Sequence, residues 1–181
     1  MLTASVWRGK SPLLYFGIGL FAGAVVVAVI AAVVGGIAQS VMPGILRWTL
    51  LGAIAAVILA REFGLVSFRI PENRRLVPES VTSRGPEVGG FQFGFEMGTG
   101  MRTYSPSALP HLLLIAILLV VPFIGALCLA FGFAVGRWIM AAGSVGYDED
   151  GTWSLLWARY ARQLVAAMAV VVVIMGVIGL M

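Results

Sequence analysis

The stretch Phe95-Glu96-Met97-Gly98, running on through Arg102-Thr103-Tyr104-Ser105-Pro106-Ser107-Ala108-Leu109-Pro110-His111, decides how this chain is read. It places an acid, a base, two prolines and the only histidine in a region otherwise apolar and long enough to cross a bilayer. Hydrocarbon neither hydrogen-bonds a freed carbonyl nor hydrates a charge, so such residues persist at that depth only where protein or a water-filled cavity satisfies them. Pro106 and Pro110 each remove a backbone donor and free an upstream carbonyl, which predicts a helix broken between Arg102 and Leu109. Thr103, Tyr104, Ser105 and Ser107 carry hydroxyls able to meet some of the freed groups. A half-helix beginning near Ala108 would point its positive end into the bundle, a place for an anion or carboxylate.

Working outward, composition sets the class. Hydrophobic residues make up 60% of the chain and charged ones 11%, with a mean hydropathy of +1.01, far outside the soluble globular range. The expectation is an all-α, polytopic integral membrane helix bundle, one membrane domain over residues 1–181. A net charge of +4 and a pI near 9.8 would point a soluble domain toward nucleic acid. Here the twelve basic residues sit mostly beside apolar spans, where they set topology, so no nucleic-acid partner is expected. The single cysteine, Cys128, lies in the apolar run Gly125-Ala126-Leu127-Cys128-Leu129. That excludes a disulfide framework and a CxxC metal or redox site, and it reads as a small buried hydrophobe.

The first span is expected over residues 13–39, opened by Arg8 and Lys10 and longer than the roughly 7–15 apolar residues of a signal peptide. The second runs over 45–63, joined to the first by the uncharged turn Ser40-Val41-Met42-Pro43-Gly44, so short that the two helices must be antiparallel neighbours. A polar loop follows, cytoplasmic over 64–88, with Pro71, Pro78 and Pro86 spaced through mixed charge. Its Arg69, Arg74 and Arg75 are candidates for docking a partner, or simply a solvated face. Residues 90–121 read as one interrupted helix, Pro122-Phe123-Ile124-Gly125 as a tight turn, and the chain to about 142 as a returning helix. An alternative parse makes 90–104 and 109–127 separate spans and reverses everything downstream. After the acidic loop Tyr147-Asp148-Glu149-Asp150, the residues Trp153, Trp157 and Tyr160 approach a last span over 164–180.

Charge bias selects about five spans, one of them broken by prolines. The N-terminus, the Arg61–Glu87 loop and the Arg137–Arg162 region then share one face, while the turns at 40–44 and 122–125 on the other carry no charge. This positive-inside pattern implies a plasma-membrane protein with a cytoplasmic N-terminus and an exterior C-terminus. Arg47 dissents at the outer end of the second span, where it can snorkel to headgroups.

Glycines recur four apart at Gly19 and Gly23, Gly94 and Gly98, and Gly132 and Gly136, a spacing that lets helix backbones approach closely. Packing inside the bundle is one reading; a homo-oligomer or another membrane subunit is the other. A weak internal repeat joins Phe16-Gly17 and Ala22-Gly23 to Phe93-Gly94 and Thr99-Gly100.

Phe95-x-x-Gly98 followed by Ser105-Pro106-Ser107-Ala108-Leu109-Pro110 resembles the Phe-x-x-Gly…Ser-Pro-Cys-x-Leu-Pro broken helix of the thiol-disulfide electron carriers in the cytochrome c biogenesis and DsbD transmembrane family. The resemblance implies a DsbD-like fold with its site at the break. It departs where the family has its reactive cysteine, because Ser107 stands there and Cys128 is a lone thiol. Disulfide exchange through paired cysteines is therefore not implied.

The candidate site residues are Glu96, Arg102, Tyr104, Ser105, Ser107 and His111, with Pro106 and Pro110 as the helix break. Glu96 and Arg102 are six apart, on opposite faces of a continuous helix, so each needs another partner. For Glu96 that is a carried proton or cation, or an arginine such as Arg137; for Arg102 an anionic ligand or the headgroups. His111 would titrate near neutral pH if water reached it, or hydrogen-bond to backbone. HExxH, P-loop and nucleophile-elbow signatures are missing from the sequence, and no cofactor or metal is expected. The expected partners are lipid and other membrane subunits. Two function classes stay open: a non-catalytic subunit or assembly factor of a membrane complex, and a small transporter using the broken helix.

Overall fold

In the computed structural model the described residues are 10–68, 84–100 and 107–146, with further positions between 155 and 174. Every regular element among them is a helix. They are α1 (Lys10–Val41), α2 (Gly44–Glu62), α3 (Pro86–Thr99), α4 (Leu109–Leu119) and α5 (Phe123–Gly146), and helical backbone recurs at 163–168.

Among the described residues three helices are long and apolar enough to cross a membrane: Ser11–Val41 within α1, Gly44–Glu62, and Phe123–Gly143 within α5. α1 has 32 residues, which at about 1.5 Å each exceeds a hydrocarbon core of about 30 Å. Large apolar side chains stay exposed along it, Leu14, Ile18, Ile30, Val33, Ile37 and Val41 among them, as are Ile45 and Val57 on α2. The last expected span, 164–180, falls mostly outside the described residues.

The region expected as one interrupted helix over 90–121 is two helices, and their ends show why. Gly100 adopts φ +69° and terminates α3 in a left-handed cap, a conformation that costs glycine little. Pro110 does not interrupt a helix. It stands in the first turn of α4, where its missing N–H would have had no helical partner.

The directions follow from who touches whom. Gly94 lies against Phe16 and Leu20, Gly98 against Leu20 and Ala24, and Gly35 against Ile117 and Leu118. α3 and then α4 thus run alongside α1 in its own direction, as two pieces of one passage. α2 returns antiparallel to α4, with Arg47 near Leu119 and Glu62 near Ala108. α5 returns antiparallel to α1, with the Trp138 indole donating to Leu13 O at 3.1 Å and the Phe21 and Phe131 rings 5.1 Å apart. The parse with separate, reversed spans is not the one adopted.

Two of the three glycine pairs close on each other. A Cβ at Gly19 would overlap Phe91 O and come within 2.9 Å of Phe95 N; one at Gly94 would overlap Phe16 O and come within 2.9 Å of Leu20 N. Gly23 and Gly98 are equally tight, so α1 and α3 meet backbone to backbone. Phe16 and Phe93, matched in the internal repeat, touch beside this contact with centroids 5.6 Å apart. Gly132 and Gly136 differ, since among the described residues nothing lies within 4 Å of a Cβ at either. The buried core around Phe16 and Leu20 is otherwise largely alanine: Ala24, Ala28 and Ala31 on α1 against Ala126, Ala130 and Ala134 on α5. Cys128, expected to be buried, is exposed, because two residues from Ala126 places it on the far side of α5.

Candidate functional site

α4 is an 11-residue helix whose two ends lie against other helices, so its terminal N–H and C=O groups need partners from the chain. At its start, the Ala108 N–H donates to Glu62 Oε1 at 2.8 Å and the Leu109 N–H to Ser107 Oγ at 3.1 Å. The Glu62 carboxylate also receives Arg61 Nη1 at 2.9 Å, and its side chain is only 7% exposed. Arg61 is held in turn by Phe68, donating from Nε to Phe68 O at 3.1 Å with its guanidinium 5.5 Å from the ring centroid. The positive end of α4 was expected to await an anion. It has one already, supplied by the last residue of α2.

The other end is closed by amide and guanidinium donors. Gln39 Nε2 donates toward three carbonyls, Ile117 at 3.1 Å and Leu118 and Val121 at 3.4 Å. Arg47 Nη1 reaches Leu119 O at 3.4 Å, so it turns inward to the negative end of α4 instead of outward to headgroups. Pro122, which has no N–H, follows directly.

A cavity of about 200 Å³ lies between α1, α3, α4 and α5. Among the described residues its walls are mostly alkyl, from Ala24, Ala28, Leu114, Ile117 and Leu129, and three polar side chains line it, Thr99 from α3, His111 from α4 and Arg137 from α5. The Nδ1 of His111 is buried without a hydrogen-bond partner. The Arg137 guanidinium stands over the Phe133 ring, 5.5 Å from its centroid, with no carboxylate in ion-pair range among the described residues. His111 also borders a more open apolar space of about 430 Å³ between α2 and α4, beside Ile54, Ile58 and Phe68.

The expected site residues separate. His111 lines the cavity and Ser107 caps α4, while Glu96 lies on α3. Glu96 Oε1 accepts from Gln92 Nε2 at 3.1 Å, and Gln92 Oε1 accepts from Arg84 Nη1 at 2.9 Å. Arg137 is not the arginine that Glu96 meets. Arg102, Tyr104, Ser105 and Pro106 of the break, and Arg69, Arg74 and Arg75 of the loop, lie outside the described residues. No group of three or more His, Cys, Asp or Glu able to hold a metal occurs among the described residues.

Glu62, Gln39 and Arg137 went unmarked as site residues. Glu62 was readable in principle: antiparallel pairing of α2 with α4 brings the end of one level with the start of the other. Gln39 carries a weaker signal, a lone amide at the end of an apolar span. No family model matches the chain, and no curated protein or solved structure does.

Proposed function

We propose that this protein is an integral membrane protein acting as a non-catalytic subunit or assembly factor of a larger membrane complex. The observation that carries this reading is the occupation of α4's ends by the chain's own side chains. Glu62 takes the amide that a ligand anion would take, and Gln39 and Arg47 take the carbonyls that a cation would take. Polar groups next to the proline break thus serve to fasten helices. Ser107, aligned with the reactive cysteine of the DsbD-like carriers, is likewise engaged in capping.

The docking face we assign is α5, where Gly132 and Gly136 form an open notch flanked by exposed Phe131, Ile139 and Met140. Cell-membrane placement with a cytoplasmic N-terminus is supported by Lys10 and Arg84 standing at the adjacent starts of α1 and α3, opposite the turns at 42–43 and 120–122. Affinity purification of the full chain in mild detergent tests the proposal. Stoichiometric partner chains are expected, and they should be lost from Gly132→Leu and Gly136→Leu. A protein that purifies alone, with both variants indistinguishable from wild type, would overturn it.

A carrier reading draws on the cavity between His111 and Arg137. Its test is substrate-dependent flux in proteoliposomes that His111→Ala or Arg137→Gln abolishes.

A further inference from the structure

We infer that the cavity between α1, α3, α4 and α5 is a binding site for an anionic amphiphile, with Arg137 holding the head and the alkyl walls holding part of one acyl chain. The inference shares with the proposed function only the bilayer setting, and it stands whether or not other subunits bind.

Arg137 is costly where it stands. An arginine within a span is tolerated where it finds an anion, a carbonyl or water. This one is part of the stretch Phe123–Gly143 and turns into a cavity whose other lining is nearly all hydrocarbon. Its contact among the described residues is the Phe133 ring, which stabilises a cation weakly and leaves the guanidinium N–H groups available. A planar fork of donors beside an aromatic face fits a phosphate or carboxylate group. An inorganic anion would satisfy Arg137 but not the walls.

The walls argue for hydrocarbon. Ala24, Ala28 and Ala130 are small enough to leave a trough between α1 and α5, and Val27, Leu114, Ile117 and Leu129 line it with branched alkyl groups. Walls of this kind favour apolar atoms over water. Cation and alkyl trough together describe an amphiphile. The anionic head can belong to a phospholipid or to a free fatty acid.

The experiment uses the full chain purified in a non-ionic detergent, with thermal unfolding followed as three probes are titrated: phosphatidylglycerol, oleate and phosphatidylcholine. Phosphatidylglycerol, oleate or both should raise the unfolding temperature saturably, and phosphatidylcholine should not; the arm that responds names the head. Arg137→Gln should weaken the response roughly tenfold or more, as expected for the loss of a charge-assisted contact. Arg137→Lys should keep part of it, and Arg159→Gln, which removes an exposed positive charge elsewhere, should keep all of it. If Arg137→Gln does not fold, Leu114→Trp decides, because it fills the trough and leaves the cation in place. An anion-independent response, or one unchanged in Arg137→Gln or Leu114→Trp, would overturn the assignment. Loss of partner chains with the lipid response intact would strike the subunit reading alone.

Discussion

α3 and α4 lie one after the other along α1, and they are fastened in opposite ways. α3 is held by the absence of side chains: Gly19, Gly23, Gly94 and Gly98 let two backbones touch, and the contact needs no polar donor. α4 is held by the presence of polar ones, with Glu62 at its amide end and Gln39 and Arg47 at its carbonyl end. The difference follows from where each helix stops. α3 begins beside the polar loop and ends on Gly100, whereas α4 is short and both its ends lie against other helices. A helix end without water needs side chains from its neighbours, and a helix middle needs only closeness.

The glycine contact is where the comparison is sharpest and the expected effect largest. Gly94→Leu would place a side chain into Phe16 O, a rigid backbone atom, and should destabilise by about 3 kcal/mol or more. Gly132→Leu makes the same chemical change on α5, where nothing lies within 4 Å, and should leave the unfolding temperature of the isolated chain unchanged. Thermal unfolding in detergent reads both. Equal losses would mean that the α5 pair is packed as tightly as the α1–α3 pair, since helix propensity alone favours leucine over glycine at both sites.

The polar fastening ranks next. Glu62→Ala leaves the Ala108 amide without an acceptor and Arg61 without a carboxylate, at a cost of about 2 kcal/mol. Glu62→Gln keeps a neutral acceptor and should lose roughly half as much, a ratio that separates hydrogen bonding from charge. Hydrogen exchange at the start of α4 should rise in Glu62→Ala while α3 stays protected. If exchange rose equally in both helices, the two fastenings would be one cooperative unit. Gln39→Leu follows, at about 1 kcal/mol, since polar contacts between apolar helices contribute modestly.

The same contrast explains what could be read from residues alone. The extents of α1 and α2, the tight turn before Gly44, and a helix that stops before Arg102 and resumes near Leu109 were legible, because glycine, proline and charge punctuate apolar runs; the next turn was expected at 122–125 but lies at 120–122, so Phe123, Ile124 and Gly125 open α5. The close-packing role of Gly94 and Gly98 was legible as a spacing. That Gly132 and Gly136 would stay open was not, although the spacing is identical. In a soluble helix the polar face marks the outside, but here lipid-facing and core-facing residues are both apolar, and the pattern carries no face. Cys128 and Ala126 illustrate it, two small apolar residues on opposite sides of α5, one exposed and one buried. Glu62 and Arg47 escaped for another reason. Each follows or opens an apolar run, where a charge is ordinarily solvated, and only the pairing of α2 with α4 gives it an inward partner.

Arg47 supplies the smallest effect and the finest test of that pairing. Its Nη1 contact to Leu119 O is 3.4 Å, long for a hydrogen bond, so most of its contribution is a cation near the negative end of α4. Arg47→Gln should therefore cost about 0.5 kcal/mol, and Arg47→Lys less, because the charge is retained. Gln39 and Arg47 serve neighbouring carbonyls of one helix end, so the double variant Gln39→Leu/Arg47→Gln should lose more than the sum of the singles. With either donor gone the other can still shift toward the open carbonyls; with both gone the end of α4 is left bare. Strict additivity would place Arg47 at the headgroups, acting on the bilayer and not on α4.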